Sequence, residues 1–187
     1  MIDFKQIKVI VLDVDGVLTD GGYYYSSGME ISNSVITKRF YTRDWYALEQ
    51  VLKTNMHVMI MSQARDGCIG NKINYLKIHS RSLVWQNAFN SKHIHYHTEV
   101  DNKYAYIGEA QSTNISDYRD FYKWEYIAYI GDAENDLECM QKALYTGCPA
   151  DAVPIIKEES NYICDAKGGY GAVYEFCMHI LEKRNNI

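Results

Sequence analysis

The stretch "VIVLDVDGVLTDGG" spans residues 9–22. An apolar, β-branched run stops at two aspartates, Asp13 and Asp15, with one valine between them and Gly16 directly after. The longer segment "IKVIVLDV" reads as a strand buried on both faces, the habit of a parallel sheet covered by helices. Side chains alternate along a strand, so positions 13 and 15 share a face and project together from its end. Gly16 permits a sharp departure and a close backbone approach to an anion. Carboxylates avoid burial unless a cation or a proton offsets them. Taken alone, Asp-x-Asp-Gly leaves a site and a solvated turn equally open.

Working outward, the same pattern returns. "HVMIMS" (57–62) is an apolar run ending in Ser62, and "YIAYIGD" (126–132) is another, ending in Asp132. Helical spacing lies between the runs: Trp45, Leu48, Val51 and Leu52 after a capping Asp44; Ile69, Ile73 and Leu76; more weakly Tyr104, Ile107 and Gln111. Leu137, Met140 and Leu144 follow, then strands at "LYTGCP" and "YICD" around a helix near 152–159, and a last helix carrying Val173, Phe176, Ile180 and Leu181. "GGYYYSSG" and "SVITKRFY" read as a hairpin excursion turning at Gly28. Alternating strands and helices predict an α/β fold, a Rossmann-like doubly wound parallel sheet with a small β-hairpin excursion. Ligands of such sheets bind beyond the strand C-termini, where Asp13, Ser62 and Asp132 all fall. Asp136 stands four residues after Asp132. Carboxylates converging there would repel one another without a cation, and a hard divalent ion such as Mg2+, shared with a phosphate, resolves this.

Composition narrows the alternatives. The 187 residues are 47% hydrophobic and carry a formal charge of -5, with mean hydropathy -0.34. That excludes a dominant electrostatic footprint for nucleic acid or an anionic membrane, and no apolar run approaches a membrane span. The N-terminus does not read as a secretory signal. Five scattered cysteines without a Cys-x-x-Cys pair argue against a disulfide framework or structural zinc, and for a reducing, cytoplasmic setting. With two prolines and no low-complexity linker, residues 1–187 read as one domain.

The motifs "LDVDGVLTDG", strand-end Ser62, Lys103 and "GDAENDLECM", in this order, resemble the haloacid dehalogenase-like phosphatases. "FYTRDWYALEQVLK", "CPADA" and "YICDAKGGYGAVYEF" are similar to the capless branch of that superfamily, the 3-deoxy-D-manno-octulosonate 8-phosphate and nonulosonate 9-phosphate phosphatases. With "TEVDNK", they are also similar to the C-terminal module of animal N-acylneuraminate cytidylyltransferases. The resemblance covers nearly the whole chain except about residues 79–97, which read as an insertion, most simply a surface loop.

The resemblance implies a Mg2+-dependent phosphomonoesterase acting on a small phosphorylated metabolite, most plausibly a sugar acid. Asp13 is then the nucleophile that forms an aspartyl-phosphate. Asp15 is the general acid and base and offers its backbone carbonyl to the metal. Ser62 bonds the transferring phosphoryl oxygen, Lys103 neutralises phosphate charge and holds Asp13, Asp132 ligates Mg2+, and Asp136 ligates or orients it. Metal, ammonium and N–H groups suit a transition state that spreads negative charge over three oxygens. The resemblance also implies a homotetramer in which a neighbour's hairpin or tail closes the pocket.

Two departures stand out. The second motif is "SQAR", with Arg65 displaced by one residue, and the last is "GGYG", with Tyr170 where the family carries an arginine. They keep two alternatives open: a catalytically silent, oligomerising module, and a phosphatase shifted to nucleotides or simple sugar phosphates. Gly16, Arg43, Asp44, Arg65, Gly169 and Tyr170 are the candidate substrate contacts. For Arg43 and Asp44 a helix cap is an equal reading. Gly168, Gly169 and Gly171 could cradle an anion or form a tight turn. "KHIHYHTEV" puts His93, His95 and His97 on one strand face, read as an exposed edge rather than a metal site.

Overall fold

The computed structural model describes residues 2–26, 35–80, 82–112 and 121–185. Six strands form one parallel sheet: β1 (Val9–Asp13), β4 (His57–Met61), β5 (Ile94–His97), β6 (Ile127–Ile130), β7 (Tyr145–Cys148) and β8 (Tyr162–Ile163), in the order β5-β4-β1-β6-β7-β8. Strands β2 (Tyr24–Ser26) and β3 (Val35–Thr37) pair separately as an antiparallel ribbon. The turn expected at Gly28 lies outside the described residues.

The helices are α1 (Thr42–Leu52), α2 (Cys68–His79), α3 (Leu83–Asn90), α4 (Lys103–Ser112), α5 (Leu137–Met140), α6 (Pro154–Glu159) and α7 (Ala172–Asn185). Alternation along β1 sends Ile10 and Leu12 to one core and Val9 and Val11 to the other. The first core takes Leu48 of α1, Ile69 and Ile73 of α2, Trp85 of α3 and Phe176 of α7. The second takes Ile107 of α4, Met140 of α5 and Ile156 of α6. Helices on both faces of a parallel sheet make the doubly wound architecture expected from the alternation.

Chain order runs outward from β1 in both directions, to β4 and β5 on one side and β6, β7 and β8 on the other. The register pairs Asp13 with Met61 and Leu12 with Ile130. Ser62 and Asp132 therefore leave the sheet at the same edge as Asp13.

Three local expectations change. Asp44 is not the cap of its own helix: Tyr41 holds that position, and Asp44, fully buried inside the first turn of α1, accepts from the Tyr174 N–H at the start of α7 (2.8 Å). The helix carrying Leu137 ends at Met140, so Leu144 lies beyond it in the approach to β7. Residues 79–97 are not a loop; they include α3 and the edge strand β5. In β5, Ile94 is buried and His95 and His97 are half-buried: His95 stacks near His57 (6.3 Å) and His97 packs on Tyr106 of α4 (4.7 Å).

Candidate active site

β1 delivers Asp13 to the sheet edge almost completely buried, and the chain then turns tightly through Val14–Leu18. Gly16 sits at φ +84, and a Cβ there would lie 2.1 Å from Asp132 Oδ2. Only glycine meets both demands, so this position lets the two acidic segments converge. Asp13, Asp132 and Asp136 offer ligand atoms within 4.8 Å of one another.

Lys103, the first residue of α4, enters this cluster buried. Its Nζ lies 2.7 Å from Asp13 Oδ1 and 2.7 Å from Asp136 Oδ1. Burial works against the ammonium, but the two carboxylates outweigh it and raise its pKa. The Asp13 carboxyl is pushed up to about 7, first by burial and then by Asp136, against the pull of Lys103. Asp132 is pushed up to about 8 by burial and by its neighbours Asp13 and Asp136. One lysine does not balance these carboxylates, and Asp132 Oδ1 is buried without a hydrogen-bond partner. Excess negative charge and an unused oxygen fit a hard divalent cation.

Asp136 has little left to offer a metal. Its Oδ1 accepts from Lys103 and from Tyr129 OH (2.7 Å), and its Oδ2 from the N–H groups of Asp132 (3.0 Å) and Ala133 (3.4 Å). It is a fastener for Asp132 and Lys103. Asp13 Oδ1 accepts from Lys103 and from the Val14 N–H (2.7 Å), while no described group bonds Oδ2.

The cluster opens into a cavity of about 420 Å3 lined by Asp13, Asp15, Tyr23, Gln63, Ala64, Asp132, Ala133 and Asn135. Ser62 is buried beside it and fixes the second motif's turn, its Oγ accepting from the Ala64 N–H (3.0 Å). Sequence reasoning missed Lys38. It follows β3, is buried, and bonds Asp15 Oδ1 (2.6 Å) and Asp66 Oδ2 (2.5 Å). Nothing periodic marks a lysine in a hairpin. Asp66, one residue past the "SQAR" motif, was not singled out either.

The remaining candidates are dispersed. Arg65 is exposed and 3.8 Å from Asp101. Arg43 lies on the Tyr174 ring and hydroxyl (3.1 Å to OH). The glycine loop is a packed turn and not an open cradle. The Gly168 N–H bonds Asp151 (3.0 Å), the Gly169 N–H bonds Val17 O (3.0 Å), and the Tyr170 N–H bonds Lys167 O (3.0 Å). Tyr170 is half-exposed, and the Arg39 guanidinium stacks on its ring at 4.2 Å while donating to Gly169 O.

No protein-family model matches the sequence. The chain is 28% identical to the 3-deoxy-D-manno-octulosonate 8-phosphate phosphatase of Salmonella typhi over 178 residues, 95% of this chain and 80% of that protein. Its fold matches the crystal structure of the Moraxella catarrhalis 3-deoxy-D-manno-octulosonate 8-phosphate phosphatase in complex with magnesium, phosphate and the sugar acid. The TM-score is 0.76 at 26% identity, over 98% of this chain and 91% of that one. A Vibrio cholerae structure assigned to the same phosphatases gives a TM-score of 0.74 at 31% identity, over 98% and 88% of the two chains. With the acidic cluster at the C-terminal edge of the same sheet, the chain belongs to the haloacid dehalogenase-like phosphatases, in the branch of these octulosonate-phosphate enzymes, and is a phosphoric monoester hydrolase.

Proposed function

We propose that the chain is a Mg2+-dependent phosphatase of a phosphorylated sugar acid, of the 3-deoxy-octulosonate 8-phosphate or nonulosonate 9-phosphate type, working through an aspartyl-phosphate. The observation that carries this is Asp13: a buried carboxylate with one oxygen fixed by Lys103 and Val14 and the other unbonded, on the wall of a cavity shared with Asp15 and Asp132. Asp13 Oδ2 attacks phosphorus, and Asp15 protonates the departing alcohol. Asp15 then takes a proton from the water that hydrolyses the phosphorylated Asp13. Lys103 neutralises charge beside the transferring group, and the Ser62 hydroxyl donates to a phosphoryl oxygen. Asp13, Asp132 and the Asp15 backbone carbonyl would hold Mg2+, with Asp136 orienting Asp132. When bound, the ion offsets the carboxylates and the phosphate charge.

Sugar-acid specificity is supported by the relatives, whose names carry that substrate. The single-domain reading of 1–187, with 79–97 as an insertion, belongs to the same proposal, as do a homotetrameric state and the cytoplasm. Arg43, Asp44, Arg65 and Gly169 have structural partners of their own; Tyr170 has one too in Arg39, but its ring is half-exposed, and the substrate contacts we retain are Gly16 and Tyr170.

The deciding experiment is a phosphate-release panel of sugar-acid phosphates, simple sugar phosphates and nucleotides, with Mg2+ and with EDTA. The expected result is Mg2+-dependent release, fastest from a sugar-acid phosphate. Fastest release from a nucleotide or a neutral sugar phosphate would replace the substrate class. Light scattering at micromolar concentration checks the tetramer.

A further inference from the structure

We propose that Lys38 is a positioning residue for Asp15. From the ribbon it fixes one carboxylate oxygen, so that the other is presented to the leaving group. The proposal rests on the acid–base role given to Asp15 above.

Lys38 is only 8% exposed, although an ammonium resists burial unless fully paired. Its Nζ meets Asp15 Oδ1 at 2.6 Å and Asp66 Oδ2 at 2.5 Å, and lies 4.5 Å from the centre of the Tyr23 ring. Thr19 Oγ1 reaches the same Asp15 Oδ1 at 3.2 Å. Both contacts fall on one oxygen, and no described group bonds Oδ2. Asp66 is itself anchored, because its Oδ1 accepts from the Cys68 N–H at the start of α2 (2.8 Å). The first turn of a helix thus holds Asp66, Asp66 holds Lys38, and Lys38 holds Asp15. Three segments that are remote in sequence fix the rotation of one carboxyl group. A lysine that served only to tie the ribbon down would not need to end on the proton-transfer residue.

This arrangement has a selective consequence. As the P–O bond breaks, the proton on Asp15 passes to the bridging oxygen, leaving a neutral alcohol and the Asp15 carboxylate. An alkoxide needs that proton, whereas p-nitrophenolate departs without it. The parameter to read is kcat/KM, which stops at phosphorylation of Asp13 and so excludes the hydrolysis step common to all esters.

The test compares p-nitrophenyl phosphate with the primary-alkyl phosphate that the wild-type chain turns over fastest in the panel above. Lys38→Met should lower kcat/KM on the alkyl ester about 100-fold, within the range of general acid catalysis, and on the aryl ester less than about tenfold. Lys38→Arg should recover most of the loss. Thr19→Val, which leaves the lysine in place, should show a smaller loss of the same selectivity. The double variant Lys38→Met/Asp66→Asn guards against failure to fold, since it removes one of the two stranded carboxylates. An equal fall on both esters, or none on the alkyl ester, overturns the positioning role. Asp15→Asn separates the two ideas: retained alkyl-ester turnover in that variant would sink the acid–base reading itself.

Discussion

The two ends of the parallel sheet bury ionisable groups in opposite ways. At the C-terminal edge, Asp13, Lys103 and Asp136 lie within a few ångströms of one another, tied by short ion pairs and, for Asp136, by four donors. At the N-terminal edge, His57 opens β4 and packs its ring, tilted, against His93 (4.5 Å) and Phe121 (4.2 Å), with His95 parallel to it at 6.3 Å. Burial, with His93 and His95 nearby, lowers the His57 pKa to about 4, so the imidazole is neutral at ordinary pH. One end crowds carboxyls whose ionisation burial and mutual repulsion oppose, so a counter-ion favours their charged form; the other discards its charge and packs as an aromatic cluster. Among the described residues, only the acidic group has the spacing of a metal site with three or more ligands. The histidine-rich strand is therefore an architectural edge.

The comparison breaks hardest at Asp13. Asp13→Asn should lower turnover by about four orders of magnitude while the fold persists, because one of the crowded carboxylates is gone. Retained activity, with an unchanged circular-dichroism spectrum, would remove the nucleophile assignment. Lys103→Met strands two buried carboxylates and should cost about 3–5 kcal/mol in a urea titration of the metal-free chain.

The third effect is smaller. Saturating Mg2+ should raise the unfolding midpoint, with a gain near 2.7 kcal/mol at one hundred times Kd. The sign with pH follows from the raised carboxyl pKa values. Burial and the neighbouring carboxylates push Asp13 up to about 7 and Asp132 up to about 8, from an ordinary 3.8. Ionisation therefore penalises the metal-free fold increasingly as pH rises from about 4 to 8. The Mg2+-induced shift in Tm should be larger at pH 8 than at pH 6, and an equal shift would contradict the charge argument.

The opposite end predicts the opposite slope. The His57 pKa is lowered from 6.5 to about 4, so its contribution is complete above pH 6.5 and is lost as pH falls toward 4. His57→Phe should gain on the order of 1 kcal/mol at pH 5 and little at pH 8. Denaturant midpoints at the two pH values would show it.

What could be read in advance follows from how local each signal is. Asp13, Ser62 and Asp132 were legible because each ends an apolar run, and a parallel sheet gathers such ends at one edge. Asp136 was legible from its spacing after Asp132, and Lys103 only through order and resemblance. Lys38 was not, since its place beside Asp15 depends on where a two-stranded ribbon lands, nor was Thr19, whose bond to Asp15 depends on the tight turn after β1. Asp44 misled because an acid in a first helical turn looks like that helix's own cap, while the fold turns it to the start of α7. For Gly168 and Gly169 the tight-turn reading, not the anion cradle, is the one the fold adopts. Glycines before a helix suggest an open cradle, but these pack onto the backbone of residues 16–20, and a Cβ on Gly168 would overlap Gly16 O.

The central place of β1 has a consequence for how the site can fail. Its five residues are all buried, and it is laddered to β4 on one side and β6 on the other. Amides held this way exchange with solvent through global unfolding, not local fraying. In the proposed mechanism the attacking carboxylate stands at the end of this central strand, whereas Lys38, proposed to aim its partner, follows a separate two-stranded ribbon. Heat or mild denaturant should blur the aim of Asp15 before it loosens Asp13. Alkyl-ester turnover would then fade ahead of aryl-ester turnover in a protein that still holds its sheet.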